Sequence, residues 1–164
     1  MLTQEQALDI YKQTGAVLHG HFKLTSGRHS DTYMQSAKLF VQPAQAEKVC
    51  AALAEKLQNA GVKADMVISP AIGGILMGYE VARQLGLPNI FAERENGDMT
   101  LRRGFTIEKG AKLIVTEDVV TTGGSVKEVI KLVQDLGGEV VAGAALVDRS
   151  IGLVDFGEKF VNLI

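Results

Sequence analysis

Cysteine is almost absent from this chain, which has a single one, Cys50, in 164 residues. One thiol cannot form an internal disulfide, so the composition favours a reducing compartment. Cys50 lies in a helical pattern among small apolar residues at 49–53, which indicates a packed core residue rather than a catalytic nucleophile. Long apolar runs, and the basic and apolar parts of a signal peptide, are missing as well. We therefore expect a cytoplasmic protein that does not bind a membrane.

An excess of charge of one sign is also missing. The formal net charge is −2 at pH 7, with 46% hydrophobic and 22% charged residues, the balance of an ordinary globular protein. This balance gives no reason to expect binding to nucleic acid, although it leaves room for a local basic site that binds an anionic substrate. The length fits one domain, residues 1–164, around one hydrophobic core.

From residue 43 onward, apolar segments of strand length alternate with helical patterns. We predict helices at 3–14, 43–59, 74–85 and 125–136, and strands at 66–68, 89–92, 112–116, 139–147 and 160–164. Short strand pieces are predicted at 17–18 and 22–24, and an exposed hairpin at 99–107. The alternation predicts an α/β fold with a central, mostly parallel sheet flanked by helices. Such sheets bind ligands at the carboxyl ends of their strands, which directs attention to the loops that follow them.

The segment 113–125 combines an apolar strand, two adjacent carboxylates and a loop that leads into a helix. The loop consists of Thr121, Thr122, Gly123, Gly124 and Ser125. Backbone N–H groups and hydroxyls at a helix N-terminus favour an anion, and glycines let the backbone approach a phosphate. Glu117 and Asp118 repel phosphate, but they suit sugar hydroxyls or a metal that carries the anion. A turn that caps the helix, beside solvated carboxylates, is the simpler alternative.

Two common phosphate signatures are missing. The chain has neither the Gly-x-x-x-x-Gly-Lys-Ser/Thr loop of nucleotide hydrolases nor the Gly-x-Gly-x-x-Gly turn of dinucleotide-binding folds. Small residues at 69–75, between a predicted strand and a predicted helix, form a second loop whose backbone N–H groups can surround an anion. A tight turn that serves only helix packing is the alternative for this loop.

Residues 113–125 resemble the motif that binds phosphoribosyl pyrophosphate (PRPP) in the type I phosphoribosyltransferases. The resemblance implies that Glu117 and Asp118, as catalytic carboxylates, hold the ribose 2- and 3-hydroxyls, and that the loop 121–125 binds the 5-phosphate. Residues 69–75 resemble the pyrophosphate loop of the same family. The PRPP contacts that this second resemblance implies come from Ala71, Ile72 and Gly73.

The polar segment 94–104 corresponds in order to a mobile loop of this family, here about 94–106, that closes over PRPP. Closure excludes water and brings cations to the departing pyrophosphate. The resemblance therefore implies that Arg94 binds PRPP and takes part in catalysis. Arg102 and Arg103 fit an exposed, solvated hairpin equally well, so their roles stay open.

Residues 21–33 resemble the N-terminal Phe-x-Leu-x-Ser-Gly-x-x-Ser signature of the orotate phosphoribosyltransferases, in which it forms a hood over the base. The resemblance divides the chain into a hood and base-covering segment at 1–40 and a core at 41–164. The implied base contacts come from Thr25, Ser26, Gly27, Tyr33 and Thr121. Many members have a lysine where this chain has Thr25, and the nearby lysine is Lys23, whose role stays open.

The predicted strand that leads to Asp148 is followed by Arg149, which offers a second argument for orotate. Orotate carries a carboxylate, and a planar guanidinium holds a carboxylate with two hydrogen bonds. The resemblance gives Arg149 this role, and the implied reaction joins orotate to the ribose of PRPP. An ion pair between Asp148 and Arg149 at the strand end is the structural alternative.

The resemblance also implies a cofactor and a partner. Mg²⁺ prefers oxygen ligands and is expected to be held mainly by PRPP and water, without a direct protein ligand. His19, His21 and His29 match no standard zinc spacing, so we do not expect them to bind a metal. Family members are homodimers that usually extend past the position of Ile164, so we expect a homodimer and either a short or a truncated member. The alternatives are a phosphoribosyltransferase for a purine or uracil, and a regulator that senses PRPP without catalysis.

Overall fold

A six-stranded sheet forms the centre of the computed structural model, which describes residues 1–24 and 27–164. In chain order the strands are β1 (Val17–Lys23), β2 (His29–Met34), β3 (Met66–Pro70), β4 (Asn89–Glu95), β5 (Asp98–Thr100), β6 (Lys112–Val120), β7 (Glu139–Asp148) and β8 (Phe160–Asn162). The helices are α1 (Gln4–Gln13), α2 (Pro43–Asn59), α3 (Ile75–Leu85) and α4 (Gly124–Asp135), with a 3₁₀ helix at Ser36–Val41. None of the helices in the described part of the chain has the length and apolar character of a membrane span.

The strands of the central sheet follow the order β5-β4-β3-β6-β7-β8. The pairs β4–β3, β3–β6, β6–β7 and β7–β8 are parallel, and β5 pairs with β4 in the antiparallel sense. A helix joins β3 to β4 and another joins β6 to β7, which returns the chain to the starting edge of the sheet as parallel pairing requires. The predicted α/β fold with a mostly parallel sheet is therefore confirmed.

The predicted hairpin at 99–107 is wrong, because the hairpin is formed earlier, by β4 and β5. Its turn consists of Asn96 and Gly97, which both have positive φ, 53° and 87°. This pair is the sequence that two-residue hairpin turns prefer. Beyond β5 the chain folds back onto β4, where Phe105 meets Phe91 edge to face with ring centroids 5.2 Å apart.

Helices cover both faces of the central sheet. Neighbouring residues of β3 point to opposite faces, so Val67 packs with the cluster that includes α2 and α3, and Ile68 packs with the cluster that includes α4. Helix α4 buries residues at three- and four-residue steps, namely Val126, Val129, Ile130 and Val133. Cys50 is fully buried in the first cluster, which confirms its interpretation as a core residue.

The predicted helices at 43–59, 74–85 and 125–136 agree with the structure to within one residue at each end. Strand β6 is longer than predicted and runs to Val120, so Glu117 and Asp118 lie on a strand rather than in a loop. Charged residues are depleted in strands, which is why the prediction ended before them. Pairing with β7 overrides that preference, since Glu117 lies opposite Ala145 in a parallel register.

The hood is a separate antiparallel pair of strands, β1 and β2. The two predicted pieces at 17–18 and 22–24 form one strand, whose register shifts between His19 and Phe22. Strand β2 was not predicted, because its sequence His-Ser-Asp-Thr-Tyr-Met lacks an apolar alternation. Its alternate residues are nevertheless half-buried and exposed, as in a strand with one covered face.

Candidate active site

The carboxyl ends of β3, β6 and β7 lie side by side, because the three strands are parallel neighbours. Backbone hydrogen bonds extend this edge beyond the strands. The N–H of Ala71 donates to the carbonyl of Ala92 at 2.7 Å, and the N–H of Arg149 donates to the carbonyl of Val120 at 2.8 Å. The loops predicted to carry chemistry therefore meet at one edge of the sheet.

The loop after β6 begins α4 and lines a small depression together with Glu117. Gly123, at the helix start, has φ +78°, a conformation that glycine adopts without steric cost. Apart from a long contact of 3.5 Å from Gly124 N–H to Thr122 Oγ1, no described side chain caps the helix start. Uncapped N–H groups at a helix N-terminus are suited to an anion such as a phosphate. The predicted residues 121–125 are thus brought together around one anion-sized depression.

Glu117 and Asp118 lie at the end of β6 with their carboxylates directed to local backbone. Asp118 N–H donates to Glu117 Oε1 at 3.0 Å, and Val119 N–H donates to Asp118 Oδ1 at 2.9 Å. Burial, and after it the neighbouring Asp118 carboxyl, raises the pKa of Glu117 to about 9. At neutral pH the Glu117 side chain therefore carries a proton, and it can donate a hydrogen bond as well as accept one.

The loop after β3 lies against these carboxylates. A Cβ at Gly73 would stand 3.1 Å from Asp118 Oδ2, and a Cβ at Gly74 would stand 2.7 Å from the Pro70 carbonyl oxygen and 3.4 Å from Glu117 Oε1. Close approach of backbone to the carboxylates thus explains the small residues here. The peptide bond between Ala71 and Ile72 is cis.

The N–H groups of this loop differ in their partners. Ala71 N–H is used by the carbonyl of Ala92, and Gly74 N–H donates to the carbonyl of Pro70 at 3.2 Å. The N–H groups of Ile72 and Gly73 have no hydrogen-bond acceptor among residues 1–24 and 27–164. An anion bound at this loop would supply an acceptor for both groups.

A cleft of about 220 Å³, open to solvent, lies between the hood and the core. Its walls are Leu24, Tyr33, Met34 and Gln35 from the hood side and Asp118, Val119, Thr121 and Arg149 from the core. The structure therefore brings Tyr33, Thr121 and Arg149 together beside Asp118. Gly27 lies outside this lining, in the turn before β2 with φ +83°, and the predicted Thr25 and Ser26 lie outside the described residues.

The guanidinium of Arg149 faces the hood rather than its neighbour Asp148. Its Nη1 donates to the carbonyl of Thr32 at 2.9 Å, and its Nη2 donates to Ser30 Oγ at 3.1 Å. The Asp148 carboxylate instead accepts from the backbone of the following turn, from Ser150 N–H at 2.9 Å and from Gly152 N–H at 3.2 Å. The alternative of a strand-end ion pair is therefore wrong.

Arg94 makes its contacts away from this cleft. It donates to both carboxylate oxygens of Glu128 on α4, at 2.6 and 3.1 Å, and to the carbonyl of Gly97 at 3.1 Å. Alternation along β4 places Arg94 on the same side as Ile90 and Ala92, which pack in the cluster of α4. The structure thus does not bring Arg94 to Glu117 and Asp118, and its catalytic role stays a prediction.

The other two arginines of the predicted mobile loop are paired along the hairpin. Arg103 donates to both oxygens of Glu93, at 2.7 and 2.9 Å, and its guanidinium lies 5.6 Å from the centre of the Phe91 ring. Arg102 lies 3.8 Å from Glu95. Both arginines are exposed, but they lie beyond β5 rather than in the predicted hairpin at 99–107.

Two hood residues that contact the site, Ser30 and Thr32, were missed by the sequence analysis. Their signal was the two-residue spacing of Ser30, Thr32 and Met34, which places them on one face of a strand. His21 Nε2 and His29 Nδ1 are 2.7 Å apart in the hood. The residues that the structure describes contain no group of three or more His, Cys, Asp and Glu side chains arranged to hold a metal.

Comparison with known proteins first defines the class. The model of the phosphoribosyl transferase domain matches residues 36–163, which includes both anion loops and the carboxylates. The sheet order and the loops at its edge agree with this class.

Individual relatives define the family within that class. The orotate phosphoribosyltransferase of Caldanaerobacter subterraneus subsp. tengcongensis is 53% identical over 163 residues, covering 99% of this chain and 85% of that protein. The one from Carboxydothermus hydrogenoformans is 56% identical over 160 residues, covering 96% and 84%. The crystal structure of the orotate phosphoribosyltransferase from Aeropyrum pernix superposes with a TM-score of 0.78 at 27% identity, covering 94% and 92% of the two chains. The chain belongs to the orotate phosphoribosyltransferase family.

Proposed function

We propose that this chain transfers the 5-phosphoribosyl group of PRPP to orotate, giving orotidine 5-monophosphate and pyrophosphate in pyrimidine biosynthesis. The observation that carries the proposal is the cleft in which Arg149, Thr121 and Tyr33 meet beside Asp118, next to the anion loop of α4. The names and high identity of the relatives support the same reaction.

The loop 121–125 is proposed to bind the 5-phosphate of PRPP. Its support is the uncapped start of α4, where the N–H groups and the helix dipole favour an anion. Glu117 and Asp118, at the adjacent strand end, are proposed to hold the ribose hydroxyls. The proton on Glu117 allows this side chain to donate to a ribose oxygen, while Asp118 accepts from a hydroxyl.

The loop 71–73 is proposed to bind the pyrophosphate of PRPP through the two N–H groups, of Ile72 and Gly73, that have no described acceptor. Gly73 also keeps this loop within reach of Asp118, because a side chain there would meet the carboxylate. Ribose and pyrophosphate would then be held by adjacent loops. Fixed positions of this kind lower the barrier by orienting the reacting groups.

The donor chemistry of this edge fits Mg²⁺. Its lining includes the Asp118 carboxylate and the hydroxyls of Thr121 and Thr122, oxygen groups of the kind that Mg²⁺ prefers, and Mg²⁺ usually keeps several waters. Asp118 is the residue we propose to meet it, through water or ribose oxygens, with PRPP as the main ligand. When bound, Mg²⁺ offsets negative charge on the pyrophosphate.

Arg149 is proposed to bind the carboxylate of orotate, because a guanidinium can hold a carboxylate with two parallel hydrogen bonds. Tyr33 and Leu24 on the hood side of the cleft would cover the ring. The C1–O bond of PRPP breaks early in the proposed reaction, so positive charge develops on the ribose. The Asp118 carboxylate at the end of β6 stabilises that charge, and the reaction needs no covalent nucleophile.

A second copy of this chain is proposed to cover an apolar surface formed by the 3₁₀ helix, α2 and α3. Leu76 and Tyr79 are 58% and 62% exposed there and line a groove with Phe40 and Pro43, and Val41, next to Phe40 in the chain, is 73% exposed. Contiguous exposed apolar groups of this kind mark interaction surfaces. Leu76→Glu should convert the proposed homodimer to a monomer in sedimentation, while an unchanged mass would contradict this surface.

The single buried cysteine supports a cytoplasmic setting.

An absorbance assay tests the reaction. The protein is mixed with PRPP, Mg²⁺ and orotate, and the loss of orotate absorbance in the ultraviolet is followed. We expect a loss that requires all of these components and that disappears in Asp118→Asn. Asp155→Asn is the matched control, because Asp155 is an exposed carboxylate that contacts the backbone of its own turn. Turnover of adenine or uracil in place of orotate would overturn the choice of base, and PRPP binding without any turnover would favour a regulator.

A further inference from the structure

Ser30 has a hydroxyl whose hydrogen-bonding capacity is fully used in the hood. Ser30 Oγ donates to the carbonyl oxygen of Thr32 at 2.8 Å, and it accepts from Thr32 N–H at 3.1 Å. Its remaining lone pair accepts from Arg149 Nη2 at 3.1 Å. A hydroxyl offers one hydrogen and two lone pairs, so these three contacts satisfy it and define its orientation.

The same strand supplies the second acceptor for Arg149. The carbonyl oxygen of Thr32 accepts from Arg149 Nη1 at 2.9 Å, so the guanidinium has both of its terminal nitrogens bonded to β2. Because the guanidinium is planar, two such contacts determine its plane as well as its position. Of its five N–H groups these contacts use two, which leaves three to meet a ligand in the cleft.

We propose that Ser30 is a positioning residue for the base, which orients the Arg149 guanidinium so that its remaining N–H groups meet the carboxylate of orotate. The inference rests on the proposed function, because it needs an anionic group on the base. Arg149 belongs to the core and Ser30 to the hood, so the same hydrogen bond also joins the hood to the core beside the proposed site of the base. Ser30 itself does not touch the reacting atoms.

A purely structural role, in which the contact only fastens the hood to the core, makes a different prediction. Loosening the hood would disturb every ligand that the cleft encloses, including the ribose of PRPP beside Asp118. A misoriented Arg149 guanidinium would weaken only the binding of the base. The ratio of the effects on the two substrates therefore separates the two roles.

Steady-state kinetics of Ser30→Ala, with orotate and PRPP varied in turn, tests the proposal. A hydrogen bond to a charged group is lost, so we expect KM for orotate to rise about tenfold, with kcat and KM for PRPP little changed. Ser30→Thr keeps the hydroxyl and should restore KM for orotate. The matched control is Asp31→Asn, because Asp31 is the exposed neighbour and its carboxylate accepts from the Thr32 hydroxyl at 3.1 Å, without a contact to Arg149.

Each outcome supports or overturns the proposal. A rise confined to KM for orotate and reversed by Ser30→Thr supports it. If KM rises equally for orotate and PRPP and the melting temperature falls, Ser30 only holds the hood against the core, and the proposal is overturned. Unchanged kinetics of Ser30→Ala would overturn it while the proposed reaction stands. Failure of the wild-type protein to consume orotate would overturn both.

Discussion

Gly123 immediately precedes α4, at a position that should accept no other residue. Its φ is +78°, where an L-residue costs about 1–2 kcal/mol relative to glycine. A Cβ there would stand 2.5 Å from Val154 Cγ1 and 2.8 Å from Phe156 Cε1, and overpacking of this kind costs about 1–3 kcal/mol. Together these effects predict that Gly123→Ala lowers the free energy of unfolding by about 2–5 kcal/mol.

The assay is thermal unfolding without ligands at one protein concentration, because assembly makes Tm depend on concentration. For a chain of this size, a loss of about 3 kcal/mol lowers Tm by about 6–12 °C. Gly124→Ala is the control, since Gly124 has an ordinary φ and its nearest heavy atom to a new Cβ is Thr122 Oγ1 at 3.7 Å. Alanine is also favoured over glycine inside a helix, so the control should keep or slightly raise Tm.

Equal melting temperatures for the two variants would refute the reasoning, because they differ by one position but have opposite backbone and packing environments. If both variants have a lower Tm, then something other than φ and the contact with residues 154–156 excludes side chains from the loop. If neither does, the segment after β7 moves away from the loop at little cost. Either result would also weaken the proposal that this backbone is built to approach a phosphate.

Three further predictions concern the charges of the site. Burial raises the pKa of Glu117 to about 9 from an ordinary 4.5, so between these values the folded chain holds a proton that the unfolded chain lacks. The free energy of unfolding should therefore fall as pH rises through this window. Urea unfolding at about pH 6 and about pH 8.5 measures this fall, which should be smaller in Glu117→Gln than in the wild-type protein. An equal fall in the two proteins would contradict the raised pKa. Arg149→Lys removes the planar fork, so KM for orotate should rise about 10- to 100-fold while KM for PRPP changes little, and an equal rise in both would argue against a contact with the base. Glu128→Gln breaks a half-exposed ion pair, so it should change the free energy of unfolding by less than about 1 kcal/mol. It should raise kcat/KM for PRPP if the released Arg94 serves pyrophosphate, and a decrease would contradict that role.

The helices and the core strands could be predicted from the sequence because their signals are local. Helix α2 has apolar residues at helical spacing from Pro43 onward, and the strands β3, β6 and β7 have continuous apolar centres. Strand β2 lacked such a signal, because its half-buried residues Ser30 and Thr32 are polar. Their burial comes from Arg149, which lies more than a hundred positions away in the chain and makes no local pattern.

The loops of the candidate site were predictable for a similar reason, whereas the partners of its arginines were not. Small residues at 71–74 and 121–125 follow apolar strands, and that local context places them at the edge of a parallel sheet. A guanidinium at the end of a flexible side chain can reach several carboxylates. Arg94, on strand β4, has Glu128 on helix α4 as its partner, and nothing in the sequence around 94–104 favours Glu128 over Glu93 or Glu95 as that partner.

The orientation of Arg149 illustrates a signal that was local but was not used. An aspartate often accepts a hydrogen bond from the backbone N–H two residues later, and Asp148 does so with Ser150 at 2.9 Å, while also accepting from the Ser150 hydroxyl at 2.6 Å. The sequence Asp-Arg-Ser therefore indicates a turn in which the aspartate is already occupied. The donors of the turn use most of the acceptor capacity of Asp148, and the terminal nitrogens of Arg149 find their acceptors elsewhere. The hood supplies them, and this is why one side chain can both join the hood to the core and present a cation to the cleft.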